Sequence, residues 1–213
     1  MDNEEYLLMG RAGKMHQHYY STEPEVESHP LFIDALIRGN PMRFKSDAGV
    51  FSKDKIDRGS LLLVNSLPVK VDEIILDLGC GYGVIGLGLA KVAPQGRAVL
   101  VDVNARALSL AAENAKLNQV TNVEIRASDG FAAISPSEMF SLIVTNPPIR
   151  AGKEAYYPFV DGAYAHLMAG GMFAAVIQTK QGAKSFAEKI RNTFGNVETL
   201  EIKGGYRVLA GRR

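Results

Sequence analysis

From about Val71 onward, short apolar runs alternate regularly with segments of helical periodicity. This alternation is typical of a parallel sheet whose strands are connected by crossover helices. The predicted strands are 73–78, 97–102, 123–127, 140–146 and 172–177. The predicted helices are 84–93, 105–118, 153–168 and 181–194. The sequence therefore predicts a Rossmann-like, doubly wound α/β fold.

The segment after the last predicted helix has a different pattern. Residues 196–202 and 206–210 read as strands on either side of the turn-forming pair Gly204-Gly205, which predicts an antiparallel hairpin. With this hairpin the sheet has seven strands and is mostly parallel. We assign residues 71–213 to this core.

A second, smaller hairpin is predicted ahead of the core. Strands at 31–38 and 42–46 flank the breaker triplet Gly39-Asn40-Pro41, and a helix is predicted at 57–66. Residues 16–70 are interpreted as an appendage on the core and residues 1–15 as a disordered N-terminus. His16 and His18 lack a Cys or acidic cluster around them, so no metal site is predicted.

Charge is distributed unevenly along the 213 residues, although the formal net charge is only +1. Residues 1–149 hold 14 Lys or Arg against 18 Asp or Glu, whereas residues 150–213 hold 10 against 5. The basic C-terminal part would suit a polyanionic partner, and scattered solvated charges are the alternative. The lone Cys80 excludes an intrachain disulfide, and no apolar run is long enough for a signal peptide or a membrane span. We expect a cytoplasmic protein.

The segment DLGCGYGVIG, residues 77–86, joins a predicted strand to a predicted helix. Gly79, Gly81 and Gly83 let the backbone approach a ligand closely. The spacing of Gly81, Gly83 and Gly86 also fits the G-x-G-x-x-G dinucleotide pattern. Glycine spacing therefore leaves three alternatives open: a nicotinamide site, an S-adenosylmethionine site and a turn without a ligand.

Acidic residues at the ends of the first three core strands narrow these alternatives. Asp77 would sit poorly beside a pyrophosphate but suits the ammonium group of an amino acid. Asp102 can accept hydrogen bonds from both ribose hydroxyls of either cofactor. Asp129, between Ser128 and Gly130, either accepts a hydrogen bond from the adenine amino group or caps the following turn. Cys80 is interpreted as a small apolar residue of the cofactor loop.

The tetrapeptide Asn146-Pro147-Pro148-Ile149 follows the fourth core strand, at the edge where open α/β sheets bind their ligands. The Asn146 side-chain oxygen and the Pro147 carbonyl can accept two hydrogen bonds from a substrate amine, and the prolines stiffen the loop. The same residues also form ordinary turns. Their place in a sheet that carries the Asp77 turn favours a catalytic interpretation.

Together, the DLGCGYG and NPPI motifs resemble class I S-adenosylmethionine-dependent methyltransferases that modify nitrogen, over roughly residues 45–210. SDAGVFS at 46–52, the following helix with Asp57, Gly59 and Leu62, and NPPIRAGK at 146–153 resemble the catalytic half of bacterial small-subunit (16S) ribosomal RNA guanine-N2 methyltransferases, in a single-domain branch. Members of that family usually carry an aromatic residue at the position of Ile149, where it stacks on a flipped base.

The resemblance implies S-adenosylmethionine as the cofactor and structured RNA, ribosomal RNA or the small ribosomal subunit, as the partner. Asn146 and Pro147 are the implied catalytic residues. The implied cofactor site consists of Phe51, Asp77, Gly79, Cys80, Gly81, Gly83, Asp102, Val103, Ser128, Asp129, Gly130 and Asn146. The candidate substrate and RNA contacts are Pro148, Ile149, Arg150, Lys153, Lys180 and Lys184, with solvated surface charge as the alternative for the basic residues.

The sequence thus predicts an N-methyltransferase that modifies the exocyclic N2 amine of a guanine in small-subunit ribosomal RNA. A protein glutamine or adenine N6 is an alternative target for the same chemistry. Two hypotheses from other classes are a non-catalytic RNA-binding protein that retains the fold, and an NAD-dependent oxidoreductase, which Asp77 and the NPPI loop disfavour.

Overall fold

The computed structural model describes residues 26–213, so the predicted disordered N-terminus, His16 and His18 lie outside the described residues. In the described part, the strands are β1 (Leu31–Ile37), β2 (Asn40–Ser46), β3 (Ile74–Leu78), β4 (Arg97–Asp102), β5 (Val123–Ala127), β6 (Phe140–Thr145), β7 (Leu167–Gln178), β8 (Glu198–Lys203) and β9 (Tyr206–Arg212). The helices are α1 (Arg58–Ser66), α2 (Val84–Val92), α3 (Ala105–Leu117), α4 (Lys153–His166) and α5 (Ala183–Phe194). Two short 3-10 helices, Ile149–Ala151 and Thr179–Gln181, precede α4 and α5.

The main sheet has seven strands in the order β5-β4-β3-β6-β7-β9-β8. Its first five strands are parallel, and β9 and β8 complete it as the predicted antiparallel hairpin. The strand order reverses between β3 and β6, so the carboxyl ends of these two strands lie side by side. The Thr145 hydroxyl at the end of β6 donates to the Leu78 carbonyl at the end of β3, at 2.8 Å. This is the edge where ligands bind in open α/β sheets. The predicted fold class is confirmed.

Both faces of the sheet are covered by helices, so alternate residues of one strand enter different clusters. On β3, Ile75 packs with the cluster that includes α2 and α3, whereas Leu76 and Leu78 pack with the cluster that includes α4 and α5. Asp77 is the polar exception in this buried strand. Near-continuous apolar strands are typical of a parallel sheet that is buried on both faces.

The N-terminal hairpin forms a separate two-stranded sheet. Its turn is Arg38-Gly39, with φ of 50° and 79°, so the turn begins one residue before the predicted breaker triplet. The strand β2 begins at Asn40, two residues before its predicted start, and the predicted triplet is wrong. The Arg38 side chain donates to the carbonyls of Val64 and Leu67 at 2.9 and 2.8 Å, which holds the turn against the end of α1. The boundary predicted at residue 70 stays a prediction.

Two asparagines of α3 attach β2 to the core. Asn114 is fully buried, accepts from the Lys45 amide at 2.7 Å and donates to the carbonyls of Lys45 and Tyr82 at 2.9 Å each. Asn118, one turn later, makes the same pair of bonds with the Arg43 backbone. These amides replace the neighbouring strand that the free edge of β2 would otherwise need.

The other differences from the prediction concern α4 and β7. The helix ends at His166, and β7 starts at Leu167, five residues before the predicted start. Gly170, with φ of 76°, lies inside a bulge where the pairing with β6 shifts between Phe140 and Leu142. Glycines in a strand obscure its pattern and often mark such irregularities. In the part of the chain described, no helix has the length and apolar character needed to cross a membrane.

Candidate active site

The glycine-rich turn connects β3 to α2 at the carboxyl edge of the sheet. Gly79 and Gly81 have φ of 68° and 54°, and a Cβ built on either would meet no atom within 4 Å. Positive φ disfavours other residues here, and the space above both glycines is open. Gly83, with φ of 95°, is the N-cap of α2. The turn is therefore a cradle of backbone that a ligand can approach closely.

Asp77 lies beneath this turn with no exposed surface. Its Oδ2 accepts from the Gly86 amide in the first turn of α2 at 2.7 Å, while Oδ1 is buried without a hydrogen-bond partner. Burial raises the pKa of the Asp77 carboxyl to about 7, the Gly86 amide lowers it and the charge of Asp102 raises it. An unpaired buried carboxylate oxygen costs free energy. The Oδ1 atom therefore needs a proton or a cationic partner.

Asp102, at the end of β4, connects the turn to the next loop. Its Oδ2 accepts from the Gly81 amide at 2.8 Å, and its Oδ1 accepts from the Asn104 amide at 2.9 Å. Burial raises the pKa of Asp102, and these backbone bonds lower it. An ionised carboxylate can accept about four hydrogen bonds, so each oxygen keeps a lone pair for a diol. Val103, next along the chain, is half-buried.

After β5, the side chain of Ser128 stabilises the turn, together with the Asp129 backbone carbonyl, which accepts from the Ala132 amide at 3.0 Å. The buried Ser128 hydroxyl donates to the Gly130 carbonyl and accepts from the Ala133 amide, both at 2.9 Å. The Asp129 side chain is exposed and makes no hydrogen bond within residues 26–213. The alternative in which Asp129 caps the turn is therefore wrong, and its carboxylate remains available for a ligand.

Asn146 follows β6 and faces α1, which comes from the N-terminal segment. Its Nδ2 donates to Asp57 Oδ2 at 3.1 Å and to Ser60 Oγ at 2.9 Å. The side chain is half-buried, and within residues 26–213 its Oδ1 accepts no hydrogen bond. The sequence analysis identified Asn146 but not Asp57 and Ser60 as its hydrogen-bond partners, because no local sequence pattern connects residues so far apart in the chain.

The rest of the NPPI loop is a tight turn. Pro148 has φ of −74° and ψ of 69°, and the Ile149 amide donates to the Pro147 carbonyl at 2.8 Å, which is an inverse γ-turn. The Pro147 carbonyl keeps a second lone pair for a substrate. Ile149 packs against the cluster formed with α4 and α5. Its side chain is therefore used for packing and not presented as a stacking surface.

The segment between β2 and α1 lies over the glycine turn. The Asn104 side-chain Nδ2 donates to the Gly49 carbonyl at 3.1 Å, and the Tyr82 hydroxyl donates to the Ser52 carbonyl at 3.3 Å. Between these two anchors, Phe51 is 52% exposed. An exposed aromatic ring in this place is available to a ligand, and the place of Phe51 in the cofactor site stays a prediction.

The remaining candidates differ in exposure. Cys80 is buried, and burial, followed by the charges of Asp102 and Asp77, raises the pKa of its thiol, so it is a poor nucleophile. Arg150, Lys153, Lys180 and Lys184 are all exposed at the starts of α4 and α5, on the carboxyl side of the sheet. Over residues 26–213, no three His, Cys, Asp or Glu side chains are grouped as metal ligands.

The family to which this chain belongs is shown by its similarity to known proteins. Residues 41–210 match the methyltransferase small domain family, which is most of the chain. The chain belongs to this family. It is therefore an S-adenosylmethionine-dependent methyltransferase, and the predicted cofactor and enzyme class are confirmed.

Individual relatives place it more finely within the methyltransferase small domain family. The chain is 42% identical over 200 residues to the uncharacterised protein YbxB of Bacillus subtilis, covering 93% of this chain and all of that one. It is 34% identical over 164 residues to ribosomal RNA small subunit methyltransferase C of Haemophilus influenzae, covering 75% of this chain and 48% of that one. The chain thus spans about half the length of this ribosomal RNA methyltransferase.

Among solved structures, the fold is similar to a T. thermophilus 16S rRNA N2 methyltransferase (RsmC) in complex with AdoMet and guanosine. The TM-score is 0.77 at 27% identity, over 89% of this chain and 52% of that one. A methyltransferase from Pyrococcus furiosus has the same fold, with a TM-score of 0.61 at 21% identity.

The residues of the glycine turn fit S-adenosylmethionine. The cradle above Gly79 and Gly81 is open, and the unpaired Asp77 Oδ1 beneath it is complementary to an ammonium group. Asp102 has lone pairs for the ribose hydroxyls, and Asp129 is exposed where the third parallel strand ends. The predicted assignment of each residue to a part of the cofactor stays a prediction.

Proposed function

We propose that this methyltransferase modifies the exocyclic N2 amine of a guanine in small-subunit ribosomal RNA. The observation that carries the reaction is the Asn146 amide, whose two N–H groups are used by the protein and whose oxygen is left for an amine. The similarity to small-subunit ribosomal RNA methyltransferases, one of them solved with AdoMet and guanosine, supports the substrate.

Bound S-adenosylmethionine would supply a methyl group activated by its attachment to a sulfonium, which keeps the electron pair of the broken S–CH3 bond and leaves as a neutral thioether. Asn146 Oδ1 and the Pro147 carbonyl accept the two N–H groups of the target amine and turn its lone pair toward that methyl. The nitrogen becomes positively charged as it gains the methyl, so its N–H groups become stronger donors. The two oxygens therefore bind the transition state more tightly than the ground state. The product amine then loses a proton to solvent.

Basic residues near the NPPI loop supply the proposed RNA contacts. Arg150, Lys153, Lys180 and Lys184 are exposed around the amino-terminal ends of α4 and α5. Contacts to phosphates hold an RNA in register without reading its sequence, and they weaken as salt rises. Phe51 offers an exposed ring for stacking, in place of Ile149. A cytoplasmic location follows from this substrate and is part of the proposal.

The test is methyl transfer from labelled S-adenosylmethionine to unmodified small ribosomal subunits, with naked ribosomal RNA and release factor as parallel substrates, followed by nucleoside analysis. We expect label in N2-methylguanosine. The Asn146→Ala enzyme should lose on the order of 100- to 1000-fold in kcat, as enzymes do when an oriented polar group at the reacting centre is removed. Asn192→Ala, which removes an exposed asparagine of α5, is the matched control and should keep full activity.

Other outcomes separate the alternatives. Label on a glutamine of the release factor, or on adenine N6, would keep the amine chemistry and reject guanine. Binding of both cofactor and RNA without transfer to any substrate would favour an RNA-binding protein that has kept the fold.

A further inference from the structure

The Asn146 amide is held from outside the sheet by two side chains of the segment before the core. Asp57 Oδ2 and Ser60 Oγ lie 3.1 and 2.9 Å from Asn146 Nδ2, at sequence separations of 89 and 86 residues. An amide nitrogen has two N–H groups, and each finds one of these oxygens.

The chemistry of the two partners decides which way the amide faces. Ionised carboxylate oxygens accept hydrogen bonds and cannot donate, so Asp57 forces the nitrogen of Asn146 toward itself. A flipped amide would place two oxygens against each other. Because Asp57 and Ser60 hold the nitrogen, Oδ1 points away from α1 and is free for the target amine.

Asp57 and Ser60 are themselves fixed by the start of α1. Asp57 is its N-cap, and its Oδ2 also accepts from the Ser60 amide at 2.9 Å. Gly59, between them, lies against Tyr206 of β9: a Cβ there would come within 2.8 Å of Asp57 Oδ2 and 2.9 Å of Tyr206 Cε1. The helix start is therefore packed tightly between Asn146 and β9, which leaves the two side chains little freedom to move.

We propose that Asp57 and Ser60 are positioning residues for the methyl transfer, which hold Asn146 so that its oxygen faces the amine. The negative charge of Asp57 also polarises the Asn146 amide and makes its oxygen a stronger acceptor. Because the nitrogen gains positive charge during transfer, this effect is largest in the transition state. The inference rests on the proposed catalytic role of Asn146.

The experiment compares variants that keep the helix cap. Asp57→Ser keeps a capping hydroxyl, but its shorter side chain does not reach Asn146, whereas Asp57→Asn keeps both the cap and a neutral acceptor oxygen. We expect Asp57→Ser to lower kcat on the order of 100-fold, the cost of misplacing a reacting group by about 1 Å. Asp57→Asn should recover part of this loss, and Ser60→Ala should show an intermediate loss.

Cofactor affinity by calorimetry should stay unchanged in these variants, because neither the Asp57 nor the Ser60 side chain makes a hydrogen bond to the glycine turn. Asn65→Ala is the matched control on the same helix: it removes the bond to the Arg38 amide, at 2.8 Å, without touching Asn146. We expect it to lower the melting temperature while leaving kcat at the parent value.

A double variant distinguishes positioning from general weakening. In an Asn146→Ala background, Asp57→Ser should slow the enzyme no further, because the group it positions is already gone. Full kcat in Asp57→Ser and Ser60→Ala, beside a slow Asn146→Ala, would overturn the positioning inference and leave the proposed function intact. A fully active Asn146→Ala would reject the catalytic assignment itself and this inference with it.

Discussion

On the side of the site that we propose binds the cofactor, carboxylates of the sheet hold nearby backbone amides. Asp77 binds the Gly86 amide, nine residues later in sequence, and Asp102 binds the Gly81 amide across neighbouring strands. On the side that we propose binds the amine, Asn146 is held by side chains at the start of α1 that lie 86 and 89 residues earlier in the chain. One side is built within consecutive β/α units, and the other depends on a distant segment.

This difference gives the N-terminal hairpin and α1 a specific role. They add no strand to the main sheet, and the bonds of Asp77 and Asp102 to the glycine turn and α2 do not involve their side chains. Phe44 of β2 packs edge-on against Tyr82 of that turn, with ring centroids 6.2 Å apart. They do contribute to the core, since Ile37, Phe44 and Val64 pack in the same cluster as Leu87 of α2. Substitutions on the proposed cofactor side should therefore change affinity for S-adenosylmethionine, whereas substitutions of Asp57 and Ser60, at the start of α1, should change turnover.

The largest expected effect on the cofactor side comes from Asp102→Ala. If Asp102 accepts both ribose hydroxyls, its removal costs two charge-assisted hydrogen bonds of about 1.5 kcal/mol each. The Kd for S-adenosylmethionine should rise on the order of 100-fold, and calorimetry measures it. At saturating cofactor, kcat should recover most of its value, in contrast to Asn146→Ala.

Asp72→Ala is the control for this comparison, because Asp72 is exposed ahead of β3, at the opposite edge of the sheet. Unchanged cofactor affinity in Asp102→Ala would remove the ribose assignment. A large loss of kcat at saturating cofactor would show that the two sides of the site are not separable.

Loss of the contacts that attach the hairpin should lower the free energy of unfolding and leave the affinity for S-adenosylmethionine unchanged. Asn114→Ala leaves the backbone groups of Lys45 and the Tyr82 carbonyl without their partner. Unpaired groups of this kind cost about 1–3 kcal/mol each, and water can reach some of them, so we expect a loss of about 2 kcal/mol in the free energy of unfolding. Urea unfolding checks this value.

Asn118→Ala removes the same pair of bonds from the exposed Arg43, where water replaces them, and should cost less than half as much. Equal losses in both variants would mean that burial does not decide the strength of this attachment.

The main sheet could be predicted from sequence because its signals are local. Apolar runs identify β3 to β6, and Gly204-Gly205 locates the last hairpin turn. The turn at Arg38-Gly39 was displaced because Arg38 takes a positive φ that arginine rarely adopts, supported by its bonds to the end of α1. The position of this turn depends on tertiary contacts, which cannot be predicted from the residues next to it in the sequence.

The candidate site divides in the same way. Asp77, Asp102 and Asn146 stand at strand ends, so their meeting at one edge follows from the order of the strands. From local sequence, Asp57 could be recognised only as a helix cap, since an Asp where a predicted helix begins is a typical N-cap residue. Its contact with Asn146 depends on the packing of α1 against the end of β6, and the sequence pattern does not predict that packing.

The smallest expected effect is on the pH dependence of cofactor binding, and it tests Asp77. In the free protein, burial raises the pKa of this carboxyl to about 7, so it holds a proton over much of the range below pH 7. A cofactor ammonium group facing Oδ1 favours the ionised form, and binding at pH 6 must then release that proton. Affinity for S-adenosylmethionine should therefore rise as pH increases from 6 to about 7 and level off above it, by less than about tenfold per pH unit. Calorimetry in buffers of different ionisation enthalpy measures the released proton directly.

Asp77→Asn is the matched variant, because it keeps an oxygen for the Gly86 amide and removes the ionisable group. Its affinity should be lower at pH 8 and nearly independent of pH between 6 and 8, with any remaining slope due to Asp102 and to the cofactor's own amine. Identical slopes in the two proteins would mean that Asp77 stays protonated when the cofactor is bound. The carboxyl would then act only as a support for the start of α2, and the cofactor side of the site would rely on Asp102 and the backbone of the turn.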